Sequence, residues 1–350
     1  MPRFRGARCL AGRVSLIGSM KILILLIVYA VSLTAAKTLD IYVIDVEGGK
    51  SVLFVSPSGQ SMLFDVGWPA SPTRPSSTDR IVEVARAAGL KQIDILVVSH
   101  FDVDHMGDVA ELIAKFPVRK LFDHGAISSG ERMKAYAVVR EKLGATVLKP
   151  GHKIPIRGVD IQVLSASGNL ITRPLRGAGA QNPLCQTYKQ AAVIERDVED
   201  NRSIGLLISF GKFRMLDLAD LEAHHSHNLV CPKNLIGSVD VYNLNVHGQF
   251  KGVAAEMVGA VRAPVVIQAN GARKGADAQT WPILRAAPGI QDIWQVHQSL
   301  NAGKDANPPE DFIANIEPTD GFKWIKITAA TDGTLTVTNT RNGFTKRYSD

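Results

Sequence analysis

Four side chains able to bind a metal stand within six residues of one another: His100, Asp102, Asp104 and His105. They lie in the run Val97-Val98-Ser99-His100-Phe101-Asp102-Val103-Asp104-His105-Met106-Gly107. The preceding stretch, 94–99, is short and mostly apolar, as expected of a strand buried on both faces. A loop leaving a strand end can turn alternate side chains inward. His100 and Asp102 would then face one ion, and Asp104 and His105, at the start of the next helix, a second. Imidazole combined with carboxylate suits divalent first-row metals. The competing reading is a polar surface loop with solvated histidines. Four donors abutting an apolar strand weigh against it.

Other residues invite chemical readings that the pattern supports less. His124, in Phe122-Asp123-His124-Gly125, follows a short strand and can either enter the site or hold a ligand in orientation from behind. The cluster His224-His225-Ser226-His227 falls on a helix start, where histidines are more often exposed than coordinating. Arg273 and Lys274 sit in the glycine-flanked loop Asn270-Gly271-Ala272-Arg273-Lys274-Gly275, which is either a solvated turn or a contact for an anionic substrate group. Gly48-Gly49-Lys50-Ser51 resembles the end of a phosphate-binding loop, but Ile44 occupies the place of the required first glycine, which excludes nucleotide binding of that kind.

The segments that must position these groups begin near residue 39. Runs 39–46, 51–55 and 62–66 are β-rich and separated by Glu47-Gly48-Gly49 and Ser56-Pro57-Ser58-Gly59, predicting an antiparallel meander. A Pro/Ser/Thr-rich loop over 69–78 leads to a helix over 80–88 closed by Gly89. Helical periodicity returns over 106–116, 131–143, 253–261 and 278–285. Further strands are expected over 159–164, 205–210, 213–216, 240–244, 265–268, 323–328 and 335–339. Strands with interspersed helices, starting from a meander, argue for an α/β fold of two mixed β-sheets flanked by helices and not for a doubly wound sheet. The stretch 169–201, with Gly177, Gly179 and Pro183 and no sustained period, is expected to be the least ordered. No repeat or linker divides 37–350, which reads as one domain.

The 100–105 loop resembles the metallo-β-lactamase superfamily motif His-x-His-x-Asp-His, with Asp102 in place of the second histidine. That variant is familiar from the extracellular hydrolase domain of the DNA-uptake channel protein ComEC and its secreted bacterial relatives. Ile44-Asp45-Val46-Glu47-Gly48-Gly49 is similar to the family's opening strand and glycine turn, and Leu63-Phe64-Asp65-Val66-Gly67 to its Leu-Ile-Asp-x-Gly strand end. Asn201-Arg202-Ser203 followed by Leu206-Leu207 is similar to its Asn-x-Ser approach to a strand. The resemblance implies a four-layer αββα sandwich. It also implies that Asp220, in Leu218-Ala219-Asp220-Leu221, stands where the family has a Gly-Asp whose carboxylate bridges two metals. A helix-capping aspartate is the alternative. His247-Gly248 matches the terminal His-Gly, with Val246 in place of the first residue of the common His-His-Gly. The histidine that many members carry ahead of the Gly-Asp strand is missing. Asp200 and Asn201 stand there, so that an amide or carboxylate oxygen, or a water, would fill the position.

The implied metal set is therefore His100, Asp102, Asp104, His105, Asp220 and His247, with His124, Asn201, Arg273 and Lys274 behind it or toward substrate. Two divalent ions roughly 3.5–4 Å apart would lower the pKa of a shared water toward neutrality. Asp104 would also orient that water. Zinc is the first expectation, with manganese or iron as alternatives because carboxylates match imidazoles in number. The implied activity is that of an exported metal-dependent hydrolase of phosphodiesterase type, an inference by analogy. Hydrolysis of an amide, ester or lactone, β-lactams included, is the first alternative. The second, prompted by Val246 and the missing histidine, is a protein that binds metal or ligand without turnover.

Charge and composition narrow the partners. The formal charge is +7, yet five of the 40 basic residues and no acid lie in 1–36, leaving 35 basic against 33 acidic residues in the body. A polyanion-binding surface is therefore not supported, and the expected substrate is small or anionic, nucleic-acid-derived fragments included, with no stable nucleic-acid partner. Lys21, an apolar run over 22–31 and the small residues 32–36 read as a cleaved signal peptide, about half the length of a spanning helix. Met20 offers a second start. Export to the periplasm or the exterior, with no membrane attachment after cleavage, follows from that reading. It would also allow Cys185 and Cys231 to pair, although two separate thiols fit the sequence equally well.

Overall fold

The predicted meander forms because each of its runs offers apolar side chains to both faces. Leu39–Ile44, Val52–Val55 and Ser61–Phe64 pair antiparallel in sequence order. The computed structural model describes residues 38–125, 131–187, 198–316 and 322–349; the leader read over 1–36 lies outside them. Beyond the meander the first sheet continues through Ile93–Val97, Val118–Asp123 and Thr146–Val147, all parallel. On its other side it adds Trp324–Ala329, Leu335–Asn339 and Thr345–Tyr348, all antiparallel.

The second sheet has the same logic. Lys153–Ile154, Asp160–Ala166, Gly205–Phe210 and Phe213–Asp217 are antiparallel neighbours, with Asn169–Leu170 paired to Asp160–Ala166. Val241–Asn243, Val265–Gln268, Asp292–His297 and Ile313–Asn315 then follow in parallel. Each sheet holds nine strands among the described residues.

Three apolar layers make this a four-layer αββα sandwich. Between the sheets lie Ile41, Phe54, Phe64 and Val97 from the first and Val163, Leu206, Met215 and Ile267 from the second. The outer face of the first sheet presents Leu53, Leu63 and Leu96 to Ile81, Val84, Leu112 and Tyr136 on helices Ser77–Ala87, Val109–Lys115 and Glu131–Leu143. The outer face of the second presents Leu207, Tyr242 and Val266 to Met257, Val258 and Leu284 on Ala255–Val261 and Thr280–Ala286. Such burial is worth about 1.5–3 kcal/mol for each large side chain. At the far edge the buried Trp294 indole N–H donates to Tyr348 Oη at 3.0 Å, tying the last strand of the chain to the opposite sheet.

Several expectations required adjustment. The helix predicted over 106–116 is two pieces, Val103–Met106 and Val109–Lys115. The break falls at Gly107-Asp108, because Asp108 Oδ2 accepts from Thr78 N–H at 2.6 Å and from Ser76 Oγ–H at 2.7 Å, stabilising the start of the neighbouring helix instead of its own. Strands Asp292–His297 and Thr345–Tyr348 were not anticipated. Gln295 and His297 interrupt the apolar signal of the first, and the second is a polar edge strand. Within 169–201, residues 188–197 lie outside the described ones, but the preceding part is anchored. Cys185 and Cys231 form a disulfide, and Leu175 and Gly179 N–H donate to Leu235 and Asn234 carbonyls at 2.9 and 2.7 Å. No helix among the described residues is long and apolar enough to cross a membrane.

Candidate metal centre

Every parallel strand near the middle of either sheet ends at the same rim, so the loops that follow them meet there, as ligand-binding loops do at the carboxyl ends of such strands. The 100–105 loop leaves Ile93–Val97 at that rim. It is held by backbone hydrogen bonds from four directions: Asp65 N–H to Val97 O at 2.9 Å, Val66 N–H to His105 O at 2.8 Å, Lys50 N–H to Asp104 O at 3.0 Å and Ile204 N–H to Ser99 O at 2.9 Å. Gly49 is required for this packing, since a Cβ there would stand 2.6 Å from Asp104 O.

The opposite sheet brings the partners. Asp220 follows Phe213–Asp217 through Ala219, whose φ of 50° is a left-handed conformation that glycine would adopt without strain. His247 follows Val241–Asn243, and both Val246 and His247 take positive φ, 49° and 56°. For a β-branched residue this is an outlier costing on the order of 1–3 kcal/mol. Val246 N–H to Ala219 O at 2.9 Å and Ala276 N–H to His247 O at 3.0 Å hold the turn in place. Gly275 permits that contact; a Cβ there would meet His247 O at 2.3 Å.

Two buried or half-buried donor sets result. Asp104, His105, Asp220 and His247 are all buried, and their donor atoms lie within 4.8 Å of one another. His105 Nε2 is 3.3 Å from His247 Nε2, from Asp104 Oδ2 and from Asp220 Oδ1. His247 Nε2 is 3.1 Å from Asp104 Oδ2 and 3.2 Å from Asp220 Oδ2. Four donors held ~2.0–2.2 Å from a tetrahedral ion would have edges of roughly 3.3–3.6 Å, so these side chains fit one divalent metal with little movement. The second set is His100, Asp102 and Asp200. His100 Nε2 stands 3.8 Å from Asp102 Oδ2 and 3.7 Å from Asp200 Oδ1. The rings of His100 and His105 are 4.1 Å apart, so the sets are adjacent. His100 Nε2 and Asp220 Oδ1 are buried with no hydrogen-bond partner among the described residues, an arrangement that is costly unless a cation is meant to lie between such atoms.

The histidine rings are oriented from behind. His105 Nδ1 lies 2.9 Å from Asp65 Oδ2 and His247 Nδ1 3.1 Å from Ala269 O. Each Nδ1 carries the proton toward an oxygen, which leaves Nε2 free to ligate. His100 Nδ1 meets the hydroxyls of Ser99 at 3.0 Å and Ser203 at 3.3 Å. Asp65, wholly buried, also accepts from Ser99 N–H and Oγ–H, each at 2.7 Å. We expect Asp65→Ala to weaken metal binding about 10–100-fold, measured by competition with a chromophoric chelator; unchanged affinity would remove Asp65 from this role.

The electrostatics favour a cation. Burial alone would discharge His105, yet Asp220, Asp104 and Asp65 raise its pKa well above the ordinary range. Asp220 and Asp104, which burial would push up, are instead held well below theirs, Asp220 by His247 and His105, Asp104 by the same histidines and Lys274. Asp200 differs: burial and then the Asp220 charge push it up to about 7. A cluster that draws positive charge into a buried place is a recognised mark of a functional site.

Among the remaining expected residues, Lys274 reaches the centre and forms an ion pair with Asp104 Oδ2, while Arg273 is exposed. Asn201 donates to Glu222 Oε2 at 3.0 Å, and the donor contributed at this point in the chain is Asp200. His124 takes no place in either set. Its Nε2 lies 2.9 Å from Glu199 Oε1, which also accepts from Phe101 N–H, so it braces the loop beside the ligands. His224 and His227 meet Glu222 and Glu256, and neither they nor His225 belong to a metal-competent cluster among the described residues. Of the two residues the sequence offers at the missing-histidine position it is Asp200, not Asn201, that joins His100 and Asp102, while Asp65 and Lys251 are not among the expected site residues. Lys251 pairs with Asp200 Oδ2 and lies 3.7 Å from Glu222 Oε1. Asp65 had a signal in the Leu63–Gly67 motif; Lys251 had none, because its partner is 51 residues away.

Residues 45–160 match the model of the metallo-β-lactamase superfamily, and two mixed sheets flanked by helices are consistent with that superfamily's αββα sandwich. No curated protein matches the sequence. Similar solved structures include the metallo-β-lactamase-fold protein YhfI from Bacillus subtilis, 14% identical over 66% of this chain and 85% of that one with a TM-score of 0.40. Tm1679, described as a metal-dependent hydrolase of the β-lactamase superfamily, is 13% identical over 75% and 97% with a TM-score of 0.45. CmlA, a diiron β-hydroxylase from Streptomyces venezuelae, is 15% identical over 67% and 45% with a TM-score of 0.37.

Proposed function

We propose that this protein is a metal-dependent hydrolase acting on a small anionic ester, with a phosphodiester as the substrate class. The observation that carries the reading is the meeting of Asp104, His105, Asp220 and His247, drawn from two sheets, in one buried cluster beside His100, Asp102 and Asp200. Divalent ions bound there would supply Lewis-acid polarisation and an activated water at neutral pH.

The chain's own groups determine what can be bound. Two ammonium groups flank the centre, Lys274 against Asp104 on one side and Lys251 against Asp200 on the other. Both are partly exposed, 31% and 42%, and so can turn from their carboxylates to the non-bridging oxygens of a substrate. Asp104 is among the four residues that would hold such an ion, and its carboxylate would be available to orient an attacking water. Val246 is buried and apolar, so the proton for the leaving group cannot come from that position. Export, read from the leader, fits a scavenging or turnover role for such an activity.

The deciding experiment assays purified protein, before and after chelation, against bis-p-nitrophenyl phosphate and nitrocefin. Metal-dependent cleavage of the first supports the proposal; cleavage of nitrocefin alone moves the activity to amides. Metal retained without turnover of either would leave a binding protein. Lys274→Met is expected to lower kcat/KM for the phosphodiester about 10–100-fold, the worth of one charge-assisted hydrogen bond, with metal content unchanged. An unaffected kcat/KM would rule out Lys274 as a substrate contact.

A further inference from the structure

We propose that the two halves of this centre are built for different ions: the Asp104/His105/Asp220/His247 half for a borderline ion such as Zn²⁺, the His100/Asp102/Asp200 half for a harder, more exchangeable ion such as Mn²⁺. The inference rests on the metal-centred reading above and deepens it. The two donor sets differ in kind. The first offers two imidazoles and two carboxylates on edges of 3.1–3.3 Å, all four buried. The second offers one imidazole and two carboxylates, spread to 3.7 and 3.8 Å from the imidazole. Oxygen-rich sets favour hard cations, whereas added nitrogen favours zinc.

Openness points the same way. Asp102 is 37% exposed, so solvent reaches this half. Hard divalent ions keep part of their water, and a site with three protein donors beside solvent can accommodate that shell. That the half is a site, and not only an acidic cluster, follows from His100. Its Nε2 is wholly buried, has no hydrogen-bond partner among the described residues and faces the two carboxylates, while its Nδ1 is occupied by two serine hydroxyls.

Asp200 sets the difference. Its Oδ1 faces His100 and its Oδ2 is paired with Lys251. Asp200 therefore adds an oxygen, and no second nitrogen, to this half. The residue supplies a hard donor where a nitrogen would hold zinc more firmly. Because zinc outranks manganese at almost any site of nitrogen and oxygen, the halves should differ in relative preference, with zinc filling the buried half first.

The test uses the full protein stripped of metal, reloaded with one equivalent of Zn²⁺ and titrated with Mn²⁺ while the free Mn²⁺ paramagnetic resonance signal is followed. One Mn²⁺ per chain is expected to bind. In Asp200→His the Mn²⁺ affinity should fall at least tenfold and elemental analysis should find a second firmly held zinc. In the near-isosteric Asp200→Asn, Mn²⁺ binding should weaken while the first zinc equivalent stays. Failure of Mn²⁺ to bind the one-zinc protein, or equal Mn²⁺ binding in the wild type and both variants, would overturn the inference alone. A stripped protein that takes up neither ion would overturn the metal-centred reading as well.

Discussion

Asp220→Asn is expected to lower hydrolysis by on the order of 10³-fold or more, because the charge stabilisation a metal centre provides is worth several kcal/mol. The carboxylate points one oxygen at each histidine of the buried half, 3.3 Å to His105 and 3.2 Å to His247. It is also the charge that most strongly raises the pKa of the buried His105 against the effect of burial. The amide keeps the shape and removes the charge, so circular dichroism should be unchanged while bound metal, counted by elemental analysis, falls by at least one ion per chain. A variant retaining full metal content and more than about a tenth of wild-type turnover would show that Asp220 is no ligand. The capping alternative has no support in the geometry, since no hydrogen bond from a helix N-terminus to its carboxylate is observed among the described residues.

A second large effect is expected away from the donors. Lys50 and Asp217 form a 2.5 Å ion pair with side chains 3% and 1% exposed. Lys50 stands beside Val52–Val55 of the first sheet, Asp217 ends Phe213–Asp217 of the second, and Asn243 Nδ2–H also donates to Asp217 Oδ2 at 2.8 Å. The pair therefore joins the two sheets three residues before Asp220. Lys50→Met keeps the stem over the Phe64 ring, where the ammonium lies 4.3 Å from the centroid, but leaves Asp217 buried and short of its counter-charge. Breaking such a pair from one side costs about 3–5 kcal/mol. Urea unfolding of metal-free protein should show that loss in its midpoint; a change below about 1 kcal/mol would mean that Asn243 and the Ala219 N–H, 3.1 Å from Asp217 Oδ1, satisfy the carboxylate alone. Adding Asp217→Leu should recover much of the loss, since replacing both partners removes the uncompensated charge.

The Gly48-Gly49-Lys50 turn thus acquires a purpose different from the phosphate loop it superficially resembles. Gly49 lets the turn approach Asp104, and Lys50 anchors it to the opposite sheet. The same economy appears at Asp108, which ends one helix and begins another. Lys274 gained its place in this way too. Its loop presses on the glycine turn, where a Cβ on Gly271 would stand 2.6 Å from Gly48 N, so a basic residue that reads as solvated is delivered to the centre.

By itself the sequence determined the local parts. Strand Ile93–Val97 and the donors after it are legible because an apolar run followed within six residues by two imidazoles and two carboxylates has few other uses. The strand Leu335–Asn339 is legible from its alternation, one face buried and the other half-exposed, whereas Gly205–Phe210 and Val265–Gln268 are legible as short apolar runs buried on both faces. Tertiary structure alone decided how donors combine. Which of Asp200 and Asn201 turns inward depends on a short 3₁₀ turn, Asp200–Arg202, that one residue of register would reverse. Lys251, Asp65 and Lys274 become part of the centre only because strands from two sheets end at one rim, bringing together groups separated by up to 170 residues. Spacing along a chain carries no trace of that convergence; it is fixed by which apolar faces bury one another.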